Sequence, residues 1–470
     1  MPLPESVRAL LRSRLRALSP AARQAADIAA IIGMEFDPAL IQRASGLSEE
    51  NLADALDELA ARQIIRETGT PAYIFTHDKL QEEAYCELSS ARRRLLHRRV
   101  GEALSVLDPR AVTALAHHFE QAQDWTRAAR YALRAGEAAR GVFAHSEART
   151  QFERALVLLE SASKPLQKPK EAAAHQRLRI EALDGRGWTL RLLGEMDAYA
   201  RDLDEAAQLA RGLGDHKLQA RACWRQAYAA LWFCRYDQVA RAAKEGIALS
   251  RAVSDLETEM ECVWTLALAA RAIGDFPRAR RGLERAWKYF STQALPVAQA
   301  HLLSHLSTLH LYEKRYDQAE RTARQALALC AQEQLPYHRR LPLGDLGALE
   351  AERGHAQQAR AYLTESLSIA QQIADRTQEI FCLGQLGWLC LRLKRSDEAR
   401  QHFSAALNVA QSVGSRAEQS WLYAGLAETY ALDGKLTQAR EAAQRAHAIA
   451  EELGQKRDQA SVQALLERLL

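Results

Sequence analysis

The stretch GDFPRARRGLERA (Gly274–Ala286) decides the fold, because it returns at a fixed interval. KRYDQAERTARQA (Lys314–Ala326), GHAQQARAYLTES (Gly354–Ser366), KRSDEARQHFSAA (Lys394–Ala406) and GKLTQAREAAQRA (Gly434–Ala446) repeat its outline. Their central residues, Ala279, Ala319, Ala359, Ala399 and Ala439, are spaced by 40. Two degenerate copies extend the register backwards, RYDQVARAAKEG around Val239 and EMDAYARDLDEA around Tyr199. Twelve residues ahead of each centre stands a small residue: Gly187, Ala227, Ala267, Ser307, Gly347, Gly387 or Ala427. Seven residues after it comes another: Ala206, Gly246, Ala286, Ala326, Ser366, Ala406 or Ala446. Offsets of three, four and seven put each set on one face of a helix. Small side chains on facing helices let two backbones approach closely. Each unit then keeps an apolar face that only its neighbour can bury, so the units must stack.

This pattern of paired antiparallel helices resembles the tetratricopeptide repeat. It departs from that family in its greater length and in lacking the proline often found near the repeat end. The extra residues fall at joints such as ARGLGDHK and AQSVGSRA, where Gly can end a helix. Longer repeats of this kind resemble those of maltose-regulator-type bacterial proteins. The predicted fold is all-α, a tetratricopeptide-type right-handed superhelical solenoid with an N-terminal winged helix-turn-helix-like module. Seven repeats occupy residues 180–459 and a capping helix 460–470. Ala116, Ala128, Ala132, Ala135, Gly136, Ala148, Phe152 and Ala155 fit the same columns, so residues 108–162 are predicted to form further helix pairs. The stretch ESASKPLQKPKEAA is rich in Lys, Pro and Ser, and residues 163–179 are predicted to be a linker.

Residues 1–107 lack the repeat. Helices are expected over Pro4–Leu18 and Ala21–Ile32, and a helix–turn–helix over Phe36–Ala44 and Ser48–Arg62, with Ser48 as N-cap. The runs IIRET and AYIFTH flank a GTPA turn and suggest a hairpin, and two helices follow. LPESVRALLRSRLRALSPAARQAADIAAIIGMEFD, then YIFTHDKLQEEAY and RRRLLHRRVGEAL, resemble the region that follows the nucleotide-binding domain in STAND ATPases (signal-transduction ATPases with numerous domains). The pairing of Phe75 and His77 ahead of Tyr85 is the most specific part. In that family the region joins an ATPase to a tetratricopeptide sensor, which implies an ATPase or effector domain as partner of the N-terminal module. The phosphate-binding pattern G-x-x-x-x-G-K-[ST] does not occur. The chain therefore resembles the C-terminal region of such a regulator with the nucleotide-binding domain absent.

Composition agrees with a helical scaffold. Apolar residues are 48% and charged residues 26%, and the net charge of +4 over 470 residues gives no drive toward nucleic acid or anionic membrane. The seven cysteines include no C-x-x-C pair, and no apolar run approaches the ~20 residues of a membrane span. Reduced thiols and a cytoplasmic location are the expectation.

Catalysis finds no foothold. His301 and His305 stand i, i+4 with His310 beyond, but H-E-x-x-H is absent, so they are assigned to a polar groove face. His117 and His118 are expected to point apart. No G-x-S-x-G occurs. No catalytic residue, metal site or cofactor is predicted. Ser48–Arg62 would be the DNA-reading helix, but it opens with Glu49, Glu50, Asn51 and Asp54, which repel phosphate. The basic run Arg92, Arg93, Arg94, His97, Arg98 and Arg99 is a solvated face or a seat for an acidic partner.

In the tetratricopeptide fold the first helix of each unit lines the concave surface. Counted along those helices, groove positions hold Trp188, Arg191, Arg221, Trp224, Tyr228, Trp264, Arg271, Phe381, Trp388 and Trp421. Aromatic residues and Arg are the types that anchor interfaces. The early units pair Trp with Arg, which suits a peptide, protein or small inducer carrying an anionic group. The function expected is a non-catalytic regulatory scaffold. The alternatives are DNA binding through the N-terminal module and a plain assembly adaptor.

Overall fold

The computed structural model describes residues 5–69, 72–162, 169–454 and 456–469. It divides into two compact units, residues 1–142 with 146–185, and residues 143–145 with 186–470.

The first unit opens with α1 (Glu5–Arg16) and α2 (Pro20–Ile32), then β1 (Glu35–Phe36), α3 (Pro38–Ser45), α4 (Glu49–Ala61), β2 (Ile65–Glu67), β3 (Tyr73–Phe75), α5 (Asp78–Glu87) and α6 (Ser90–Leu107). Ser48 caps α4 as expected, its side chain accepting from the Asn51 amide. Phe36 lies in a strand where a helix was expected. Asp37 caps α3 and Pro38 occupies its first turn, so the helix starts after Phe36. β1 and β2 both pair antiparallel with β3, giving the order β1-β3-β2. Leu15, Ile28, Phe36, Ile41, Leu59, Phe75 and Leu96 meet in one core. Thr70 and Pro71 of the expected turn, and Met1–Pro4, lie outside the described residues.

Three helices continue the unit, α7 (Val112–Gln121), α8 (Trp125–Gly141) and α9 (His145–Ala162), and α10 (Pro169–Leu193) begins in it. The predicted linker is therefore helical from Pro169 onward, because its Ala, Gln, Arg and Leu favour a helix and Pro169 sits at the helix start. Residues 163–168 lie outside the described residues. Phe152 wedges between Gly136 and Gly185, where a Cβ would come within 2.8 and 2.3 Å of its ring.

His97 leaves the basic face of α6: it is buried, with Nδ1 3.0 Å from Nδ1 of His118 and Nε2 3.3 Å from the Tyr85 hydroxyl. His117 and His118 do not point apart but flank it, with ring centroids 5.7 and 5.3 Å away. Burial, with the neighbouring imidazoles, pushes His97 down to about 3 and His118 to about 4, so the cluster is neutral.

The second unit is the repeat array. Its first repeat pairs the end of α10 with α11 (Met196–Leu213). Then come α12 (His216–Trp232) with α13 (Tyr236–Ala252), α14 (Leu256–Ala272) with α15 (Phe276–Phe290), and α16 (Pro296–Tyr312) with α17 (Tyr316–Gln332). A short 3-10 turn at Pro336–Arg339 leads into α18 (Arg340–Glu352) and α19 (Ala356–Gln372). The last repeats pair α20 (Arg376–Arg392) with α21 (Ser396–Ser412), and α22 (Arg416–Leu432) with α23 (Leu436–Glu452). The final helix, α24 (Lys456–Arg468), starts ahead of the expected residue 460.

The central alanines are buried as the spacing requires, with Ala279, Ala359, Ala399 and Ala439 fully inaccessible. At Gly387 the helices approach so closely that a Cβ would lie 2.7 Å from the Phe403 ring. The joints follow the same register. Residues 194, 234, 274, 314, 354, 394 and 434 all have positive φ between 55° and 86°. At each of these joints two amides turn back onto the end of the preceding helix; Cys234 N–H donates to the Leu231 carbonyl and Arg235 N–H to that of Ala230, a Schellman closure. Cys234, Lys314 and Lys394 hold this conformation without being Gly.

Within this unit one superhelical turn stacks on the next. A Cβ on Gly194 would meet Val413 Cγ1 at 3.4 Å, and the half-buried Cys234 sulfur accepts from the Ala417 amide.

Candidate functional site

The predicted residues sit on the first helices of the repeats, and all but Arg221 group into three stations. The first is built on α10 and α12. Trp188 and Tyr228 lie 5.4 Å apart, and the Arg191 guanidinium carbon sits 4.4 Å from the Trp188 ring centroid and 5.7 Å from that of Tyr228. Two residues not singled out in the sequence complete it. Trp232 stands 4.7 Å from the same guanidinium carbon, and Arg225 lies 4.3 Å from Trp224 and 5.0 Å from Trp188. Successive turns of one helix place Tyr228 and Trp232 on one face, and the 40-residue step brings Trp188 level with Tyr228. These contacts are cation–π pairs, each contributing about 0.5–2 kcal/mol depending on desolvation. They leave the in-plane N–H groups of the guanidinium unused. Arg191 makes no hydrogen bond or ion pair among the described residues, and its Nε is buried without a partner.

The second station lies across α14, α16 and α18. Trp264 is only 9% exposed and packs on His305 and Phe290, with ring centroids 5.7 and 6.1 Å away. It is a wall of the site more than a free contact surface. Arg271 Nη1 approaches His305 Nδ1 at 3.5 Å. Thr308 donates to Asp345 Oδ1 at 2.9 Å, while Asp345 Oδ2 is buried with no partner. Burial pushes the Asp345 carboxyl up to about 7 against the opposing pull of Thr308 and Arg271. Burial likewise raises Glu261 to about 7 although Arg225 favours its charge. His301 shares a hydrogen with His338 over 3.1 Å. Burial and then the Arg340 charge push these two imidazoles to about 3 and about 4. Arg340 pairs instead with Asp375 at 2.6 Å; that contact, the Gln378 amide and Arg191 outweigh burial and hold Asp375 below the usual carboxylate range. The inner face therefore carries fixed cations and few fixed anions.

The third station, on α20 and α22, is packed. Trp388 meets Phe403 at 5.5 Å and Trp421 at 6.4 Å, and Trp421 closes over Gly384, where a Cβ would lie 2.3 Å from its ring. Phe381 lies against Gly344. Trp388, Phe403 and Trp421 belong to the cluster that joins the last repeats. Arg221 is exposed. The sequence held a signal for some of the missed polar residues: Arg225, His305 and Asp345 occupy one column of the 40-residue register, and Glu261 and His301 another.

Among the described residues no group of three His, Cys, Asp or Glu side chains is placed to hold a metal ion. No described helix is long and apolar enough to cross a membrane.

The tetratricopeptide repeat model matches residues 339–412 and 382–452. No curated protein matches the sequence. Among solved structures, the chain is similar to the STAND protein with a tetratricopeptide repeat sensor from Pyrococcus horikoshii, at 13% identity and TM-score 0.54, over 100% of this chain and 68% of that one. It is also similar to a Rap protein complexed with Competence and Sporulation Factor, at 11% identity and TM-score 0.52, over 73% and 97% of the two chains. NprR in complex with its cognate peptide NprX matches at 14% identity and TM-score 0.51, over 72% and 96%. At these identities the likeness is one of fold: helix-pair repeats stacked into a solenoid, with neighbours that include signal-sensing regulators.

Proposed function

We propose that this chain is a non-catalytic regulatory scaffold whose solenoid takes a peptide, in preference to a folded protein or a small inducer, on its inner face. The observation that carries this reading is the first station, where Arg191 is stacked among Trp188, Tyr228 and Trp232 while its buried Nε finds no acceptor among the described residues. Aromatic and Arg side chains grouped in a concave, partly desolvated surface are the usual anchors of a binding site. Two of the similar structures are peptide or factor complexes by their descriptions, and a third carries a sensor. That supports the class of ligand.

The N-terminal module is read as a winged helix serving as the relay to an ATPase or effector domain of a STAND-type transcriptional regulator. Its order of helices and strands suits that reading. The exposed Glu49, Glu50, Asp54 and Asp57 on α4 weigh against DNA as its partner. A ligand shifts such a relay only through unequal affinity for its two packings. A cytoplasmic location fits the unpaired thiols.

The test is affinity selection of a randomised hexapeptide library on the immobilised full chain, read by mass spectrometry. A restricted set of related sequences should be enriched. Recovery of the input distribution would remove the peptide reading.

A further inference from the structure

We infer that a cavity between stacked turns of the superhelix, walled by Arg191, receives the C-terminal carboxylate of the bound peptide. This rests on the peptide reading and specifies which end of the peptide goes where.

The cavity has a volume of about 100 Å³. One side comes from the first two repeats, through Arg191, Met196 and Trp232; the other comes from Asp375, the first turn of α20 and the Val413–Ser415 joint. Arg191 and Trp232 also belong to the aromatic station, so a peptide lying along that station would end here.

Three features make the cavity a carboxylate receptor. Arg191 has indole rings within 5 Å, and its buried Nε lacks a partner among the described residues. A desolvated donor without an acceptor is costly, and a planar two-oxygen anion meets the guanidinium fork in its own plane. The nearby ionised groups are already engaged: Asp375 with Arg340 at 2.6 Å, and Arg376 with Glu379 at 2.7 Å. Two cations, Arg340 in direct contact and Arg191 nearby, thus face the one charge of Asp375, which leaves a surplus positive charge at the cavity. The aliphatic and aromatic remainder of the wall, Met196, Phe233 and Val413, suits an apolar last side chain.

The experiment uses one randomised hexapeptide library synthesised twice, as free acids and as C-terminal amides. Both are selected on the full chain and on its Arg191→Gln and Arg191→Lys variants, with circular dichroism melts confirming the fold. The free acids should be retained at least tenfold over the amides by the unaltered chain, with apolar residues enriched at the last position. Arg191→Gln should erase that preference, and Arg191→Lys should keep part of it. Equal retention of acids and amides, unaffected by Arg191→Gln, overturns the carboxylate receptor and leaves the peptide reading standing. Equal retention that is lost in Arg191→Gln, with Asp or Glu enriched inside the peptides, overturns the C-terminal assignment in favour of a side-chain carboxylate. Retention of neither library overturns both this inference and the peptide reading.

Discussion

Trp188 and Trp388 occupy the same place in the repeat, five units apart, yet do different work. Around Trp188 stand Arg191 and Arg225, at 4.4 and 5.0 Å from its ring. The equivalent positions around Trp388 are Leu391 and Gly425. Phe403 fills the space that Gly387 and Gly425 leave, and Trp388 closes on it at 5.5 Å. In the late repeats a missing side chain admits a ring, and the ring seals the joint. In the early repeats cationic side chains take those positions, and the aromatic surface stays partly open. The repeat register thus fixes where a side chain lies; its neighbours decide whether it packs the scaffold or faces a ligand.

That contrast can be broken at either end. Trp388→Ala should have the largest cost in stability, about 2–4 kcal/mol from the cavity it leaves, with peptide retention per folded molecule unchanged. Chemical denaturation of the full chain, followed by library selection at a concentration where it is folded, reads both quantities. Asp345→Asn should come next. Burial holds that carboxyl up at about 7, so the folded chain keeps a proton the unfolded chain has already released. Its contribution to stability therefore falls as pH rises from the ordinary carboxylate range toward 7, and is fully lost above it. The Asn variant should match the original chain near pH 4 and exceed it by on the order of 2 kcal/mol at pH 8. Melts across that range check this; an equal gain at both ends would deny that Asp345 titrates in the fold. Trp188→Ala should cost the least stability, about 1 kcal/mol for a partly exposed ring, yet lower peptide retention by a factor of ten or more. A Trp188 variant that unfolds while its Trp388 counterpart loses peptides would reverse the comparison.

The repeats were legible because their spacing is a local property. Small residues at intervals of 40, and offsets of three, four and seven, specify helix pairs without knowledge of anything distant. Trp188, Arg191 and Tyr228 were found for the same reason: they sit on adjacent units. The cavity at Arg191 was not legible. It exists because Gly194 meets Val413, and that meeting depends on twist accumulated over five repeats, which no single unit encodes. Trp264, Trp388 and Trp421 counted as groove residues by register, yet each packs against a neighbour whose size the register does not give. β1 escaped notice because two residues are too few to show alternation. The helical start of α10 was hidden by Pro169, which its first turn tolerates.

The most direct measurement of where the ligand sits is amide hydrogen exchange on the full chain, with and without a peptide enriched from the library. Slowed exchange is predicted at the C-terminal end of α10, in α12 and in the first turn of α20, with α21 and α23 unchanged. Protection centred on Trp388 and Trp421, or spread along the outer helices, would contradict it.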